Sequence, residues 1–184
     1  MSIELGGILI ATARGAIARK LGLHYGAAPE HAALMTPGAS FVTLTQQGKL
    51  RGCIGSLETY RRLGDDVREN AVAAAFHDPR FVPLQGGELS ITCIEISLLS
   101  VAEPMQVESE ADALAQLRPA IDGVIFMHND RRATFLPQVW KSLPQPRQFM
   151  AQLKRKAGLP VDFWDEQVRL ARYAVTKYTE PQLT

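Results

Sequence analysis

Phe41-Val42-Thr43-Leu44-Thr45-Gln46-Gln47-Gly48-Lys49-Leu50-Arg51-Gly52-Cys53-Ile54-Gly55-Ser56 reads as two strands and a turn. The run Phe41 to Thr45 is rich in β-branched and aromatic residues. Gln46-Gln47-Gly48-Lys49 carries the glycine of a tight hairpin turn. Leu50 to Ser56 is then the returning arm. A hairpin fixes antiparallel pairing, and the rest of the chain shows no regular strand–helix–strand alternation. The expected class is α+β: a mixed, largely antiparallel sheet flanked by helices.

The returning arm also carries the densest chemistry. On an extended strand, side chains at i and i+2 share a face. Arg51 and Cys53 are therefore expected on one face, with Leu50 and Ile54 on the other. A neighbouring cation favours thiolate, the reactive form of cysteine. Gly52 and Gly55 leave room for a ligand or another backbone to approach closely. The alternative is plain packing, since free cysteine is among the most buried residue types.

Outward from the hairpin, Leu5, Ile8, Leu9, Thr12, Ala16 and Ile17 keep helical spacing. They predict a helix over 2–21 with Ser2 as cap. His24 to Gly38 reads as a connection. A second helix is predicted over 65–76, with Asp65 and Asp66 favouring its N-terminus through the helix dipole and Asp78-Pro79 stopping it. The clearest strand is Leu89 to Leu99, where Thr92, Ile94, Ile96 and Leu98 form the core face. Glu103-Pro104 ends that run. A short helix follows Ser109. Gly123–His128 and Arg132–Leu136 form a second hairpin turning at Asn129-Asp130. Pro137–Leu143 and Phe149–Ala157 read as helices, and Leu170 to Thr179 as one final strand.

Composition narrows the function classes. The chain has 184 residues, 46% of them hydrophobic and 21% charged. These values are ordinary for a globular protein. The net charge is +1 with no long basic run, so nucleic-acid binding is not expected. Cys53 and Cys93 are far apart in sequence, which argues against a disulfide framework or structural zinc. The four histidines show no ligand spacing, and neither a metal nor a cofactor is expected. Signal-peptide features and a membrane-length apolar run are missing, so cytoplasm is the expected location.

The best candidate site joins Arg51 and Cys53 with Glu95 and Ser97, if their strands share a sheet. Arg51 could clamp a carboxylate or phosphate, or simply pair with Glu95. His77 is a weaker candidate base for Cys53. Asp78 and Arg80 pair locally and shape their loop, or help to bind. Lys154-Arg155-Lys156 reads as a solvated helix end. Trp140 and Trp164 read as packing residues.

The hexapeptide Leu50–Gly55, with Ala75-Phe76-His77-Asp78-Pro79-Arg80-Phe81, Ile94-Glu95-Ile96-Ser97 and Ala133-Thr134-Phe135-Leu136-Pro137-Gln138-Val139-Trp140, resembles the AMMECR domain family. Its members are also called AmmeMemoRadiSam system protein A. Four motifs in the family's order make the resemblance specific. It implies one domain over 1–184 with two lobes, the larger holding both termini. It also implies partnership with a Memo-like protein and a radical S-adenosylmethionine (SAM) enzyme encoded beside it. Two functions follow. One is an enzyme component using Cys53 as nucleophile or redox group and Arg51 to orient an anionic substrate, with Glu95, Ser97, Gly52, Gly55, Asp78 and Arg80 around them. The other is a non-catalytic adaptor or small-anion-binding module.

Overall fold

The computed structural model describes residues 3–27 and 29–181. It is α+β, with eight strands among the described residues, divided between two four-stranded sheets. One compact unit runs to Leu99 and regains the chain at Thr176; the other is Ser100–Val175.

In the first unit, helix α1 (Ile3–Lys20) precedes strands β1 (Ala39–Gln46) and β2 (Lys49–Gly55), helix α2 (Leu63–Phe76) and strand β3 (Thr92–Leu99). Strand β8 (Val175–Thr179) completes the sheet, in the order β2-β1-β3-β8. The cap expected at Ser2 lies outside the described residues. The predicted hairpin forms, and Gln47 and Gly48 take φ of 50° and 74°. Positive φ at both central residues matches the right-handed twist of the flanking strands. Val42, Leu44, Ile94 and Ile96 are fully buried beneath Leu9, Ala13 and Ile17 of α1 and Val67 and Ala71 of α2.

Helix α2 starts at Leu63, and its N-cap Arg62 makes no side-chain cap. Asp66 was expected only to favour the dipole. It is fully buried and serves as a hub. Its carboxylate accepts from the Ser40 amide (2.8 Å) and hydroxyl (2.7 Å), Arg61 Nε (3.0 Å) and Asn70 Nδ2 (2.9 Å). A buried carboxylate is tolerable only when so satisfied.

Glycine at 52 is set by helix packing. A Cβ there would lie 2.1 Å from the Ala74 carbonyl oxygen of α2. At Gly55 it would lie 2.2 Å from the Phe41 ring, the cross-strand neighbour. The close approach expected beside the thiol is thus made by the protein's own backbone and an aromatic ring.

The second unit holds β4 (Glu103–Met105), α3 (Glu110–Gln116), β5 (Gly123–His128), β6 (Arg131–Phe135), α4 (Pro146–Lys156) and β7 (Arg169–Tyr173), with sheet order β4-β7-β5-β6. Trp140 stacks on Phe149 at 3.8 Å and donates from Nε1 to the Asp122 carbonyl. Phe126, Met150, Leu153 and Leu170 fill the core around them.

Four sequence readings change. The strand expected from Leu89 begins at Thr92, because Gly86–Ile91 winds as a 3₁₀ turn closed by Gln85 and Glu88. Pro137–Lys141 is likewise 3₁₀. The final strand is two strands in different sheets. The chain leaves one for the other at Ala174, whose N–H donates to Ser100 Oγ and whose carbonyl accepts the Ser100 amide. Lys154 is not solvated: it is fully buried and donates to Glu110 (2.8 Å) and the Phe163 carbonyl (2.9 Å). Among the described residues no helix is long and apolar enough to cross a membrane.

Gly52→Ala should lower unfolding stability by about 2 kcal/mol or more, because the obstructing atom is backbone and overpacking is not relieved by a rotamer change. Gly7, exposed on α1 with open space at its Cβ, provides the contrast. Gly7→Ala should stabilise by about 0.5–1 kcal/mol. Urea denaturation of the two variants checks both signs.

Candidate functional site

The site is built on the face of the first sheet opposite its helices. Cys53 on β2 stands across from Thr43 on β1, and Thr43 stands across from Glu95 on β3. Gly55, Phe41 and Ser97 form the next row. Alternation decides this: Val42, Leu44, Ile94 and Ile96 go into the core, so their neighbours point away from it. Cys53, Thr43, Glu95 and Ser97 are half-buried. Thr43 Oγ1 donates to Cys53 Sγ at 3.3 Å. Glu95 accepts from Lys177 Nζ at 2.7 Å and Thr179 Oγ1 at 3.1 Å, both on β8. One row thus runs thiol, hydroxyl, carboxylate, ammonium.

Arg51 does not belong to that face. The register between β1 and β2 slips after Leu44: Gly52 faces Leu44, and Leu50 faces Thr45. Arg51 is the extra residue of a β-bulge, which breaks the alternation locally. Leu50 consequently joins the Cys53 face. Arg51 turns toward the core side, where Nε and Nη2 both donate to Glu88 at 3.3 Å. Glu88 also accepts from Gln46, which in turn donates to the buried Thr92 on the core face. The side-by-side projection of Arg51 and Cys53 expected from strict period-two spacing is therefore corrected, as is the Arg51–Glu95 pair. The Gln85 backbone N–H, with help from Arg51 and Gln46, holds the Glu88 carboxyl below the usual range against the effect of burial. Arg51 Nη1 is buried with no hydrogen-bond partner among the described residues.

Asp78 and Arg80 act on the backbone of Cys53. The Cys53 N–H donates to Asp78 Oδ2 at 2.9 Å, and Arg80 Nη2 donates to the Cys53 carbonyl at 3.4 Å. Arg80 grips Asp78 through Nε (2.9 Å) and Nη2 (2.6 Å). Asp78 is only 3% exposed. The Arg80 side chain holds its carboxyl far below the usual carboxylate range. Burial opposes that shift, and the backbone N–H groups of Cys53 and Arg80 assist it. His77 makes no hydrogen bond to Cys53; it lines a cavity on the helical side with Ala16 and Arg19. Cys93 shares the open face, opposite Thr45. Burial, then the nearby Glu180 carboxylate, pushes its thiol up.

Sequence reasoning missed Thr43, Glu88 and Lys177. Thr43 lay in the run read only as a strand. Its place beside Cys53 follows from the hairpin register and was within reach. Among the described residues no three His, Cys, Asp or Glu side chains cluster to hold a metal.

A two-sheet α+β chain with this Gly-Cys edge strand clamped by an Asp–Arg pair defines a recognisable class. The family model described as AMMECR1 matches residues 10–178, and the chain belongs to that family. Relatives include a protein of Methanothermobacter thermautotrophicus, 39% identical over 76% of this chain and 74% of its own length. A Thermotoga maritima protein is 38% identical over 76% of each chain. The crystal structure of an uncharacterised Pyrococcus horikoshii protein superposes with a TM-score of 0.79 at 28% identity, covering 99% of this chain and 94% of that one.

The Asp78 geometry predicts an acid dependence. A carboxyl depressed in the folded state contributes stability that is fully present above its unfolded value, about 3.9. That contribution is lost as pH falls toward the folded value. Between about pH 5 and about pH 2.5 the urea midpoint of the wild-type protein should fall more steeply than that of Asp78→Asn. Parallel slopes would count against the clamp.

Proposed function

We propose that this protein is a binding component working with a Memo-like protein and a radical SAM enzyme, and that it contributes the open sheet face carrying Cys53, Thr43, Glu95 and Ser97. The partnership is supported by family membership and the resemblance behind it. The carrying observation for the face is the division of labour within the hexapeptide. Gly52 answers to Ala74, Gly55 to Phe41 and Arg51 to Glu88. Asp78 and Arg80 hold the Cys53 backbone. What these residues jointly display is a half-exposed polar row, and the cation nearest the thiol, Arg80, is committed to Asp78 and the Cys53 carbonyl. Such a row suits recognition of a polar ligand or protein surface by hydrogen bonds more than activation of a nucleophile.

A second reading keeps Cys53 as a reacting group, favoured by its half-exposed thiol and the hydroxyl donated by Thr43. Co-purification of the chain with the two partner proteins separates them. In the binding reading, Ser97→Arg abolishes the complex without altering the circular dichroism spectrum. Cys53→Ala then leaves assembly and the combined activity within about threefold of wild type, under 1 kcal/mol. An intact complex whose activity disappears in Cys53→Ala would establish the thiol reading instead. Failure of the wild-type chain to bind either partner would remove the partnership.

A further inference from the structure

The helical side of the first unit carries a shallow, wide-open cavity of about 560 Å³ between α1 and α2. Its apolar lining is Ala16 from α1 with Val72 and Ala73 from α2, all half-buried. Its charged lining is Arg19 and Lys20 at the end of α1, with Arg68 and Glu69 on α2, and the His77 imidazole stands at the end of α2. Glu69 is engaged by Arg61, and Arg68 pairs with Asp65 at 2.9 Å. Arg19 and Lys20 form no side-chain hydrogen bond or ion pair among the described residues. At the last turn of a helix two cations complement the dipole. That accounts for their sign but not for the apolar hollow beside them.

We infer that this cavity binds a small amphipathic anion, with an apolar body against Ala16, Val72 and Ala73 and a carboxylate-type head at Arg19 and Lys20. Three features select that class. The volume falls within the range of small-molecule sites, about 300–1,000 Å³, which are mostly apolar with a few charged groups fixing orientation. The two unpaired groups are both cations on a chain of net charge only +1. The apolar wall offers nothing to a fully hydrated ion such as phosphate. This site lies on the side of the sheet opposite the Cys53 row and is independent of the proposed function.

The test uses the full chain with 8-anilinonaphthalene-1-sulfonate as fluorescent probe and octanoate, octylamine and inorganic phosphate as competitors. The expected result is saturable probe binding displaced by octanoate and not by octylamine or phosphate. Arg19→Glu/Lys20→Glu should weaken both probe and octanoate by about tenfold or more. Both positions are exposed; the lost helix-dipole contribution is small, and an unchanged circular dichroism spectrum checks that the variant is folded. Val72→Glu, which places a like charge on the apolar wall, should act in the same direction, while Arg155→Glu in the other unit should change nothing. Unchanged binding in the charge-reversed variant, equal displacement by octylamine, displacement by phosphate, or absence of saturable binding would each overturn the assignment.

Discussion

The carbonyl oxygen of Ala74 occupies the space where a side chain on residue 52 would begin. That contact presses α2 against β2 and sets the placement of its neighbours. With residue 52 facing the helix, residue 53 must face away from it. The bulge carries Arg51 to the helical side, toward Glu88. The helix ends at Phe76, so Asp78 arrives beside the backbone of Cys53. Two separate sequence motifs, the hexapeptide and the His77–Phe81 segment, are therefore halves of one assembly joined by hydrogen bonds from the Asp78 and Arg80 side chains to the Cys53 main chain. The thiol is displayed by that assembly and accepts a hydrogen bond from Thr43 on β1.

A second constraint closes the unit. Arg14 of α1 donates to both carboxylate oxygens of Glu180 and to the carbonyls of Leu89 and Thr92. Glu180 in turn accepts the Ile94 amide. One guanidinium thus ties the first helix, the entry to β3 and the segment after β8. The pair is largely buried, and such a pair survives burial because nearly every donor and acceptor is satisfied. The Glu180 hydrogen bond raises the Arg14 guanidinium against the effect of burial, keeping it charged.

The fold class and the hairpin were legible because they rest on local signals: β-branched runs, a glycine turn and helical spacing. The core face of β3 followed from alternation alone. The features that failed were those that local periodicity cannot encode. A bulge adds one residue and reverses Arg51 without changing the composition of the strand. The exchange of sheets at Ala174 depends on Ser100, more than seventy residues away. Lys154 reads as a surface cation until Glu110 and the Phe163 carbonyl are seen around it. Asp66 looks like a helix-start acid, and its role as a hub requires knowing that Ser40 lies beside it. At the candidate site, Cys53, Glu95 and Ser97 stand on one face as alternation suggested, while Arg51 does not.

Strand β2 is the edge of its sheet, and edges tend to recruit foreign strands. The outward amide and carbonyl of Cys53 are already occupied by Asp78 and Arg80. A wandering chain thus finds no free hydrogen-bonding register at the midpoint of this border. The Asp–Arg pair therefore covers this border at the very residue it braces.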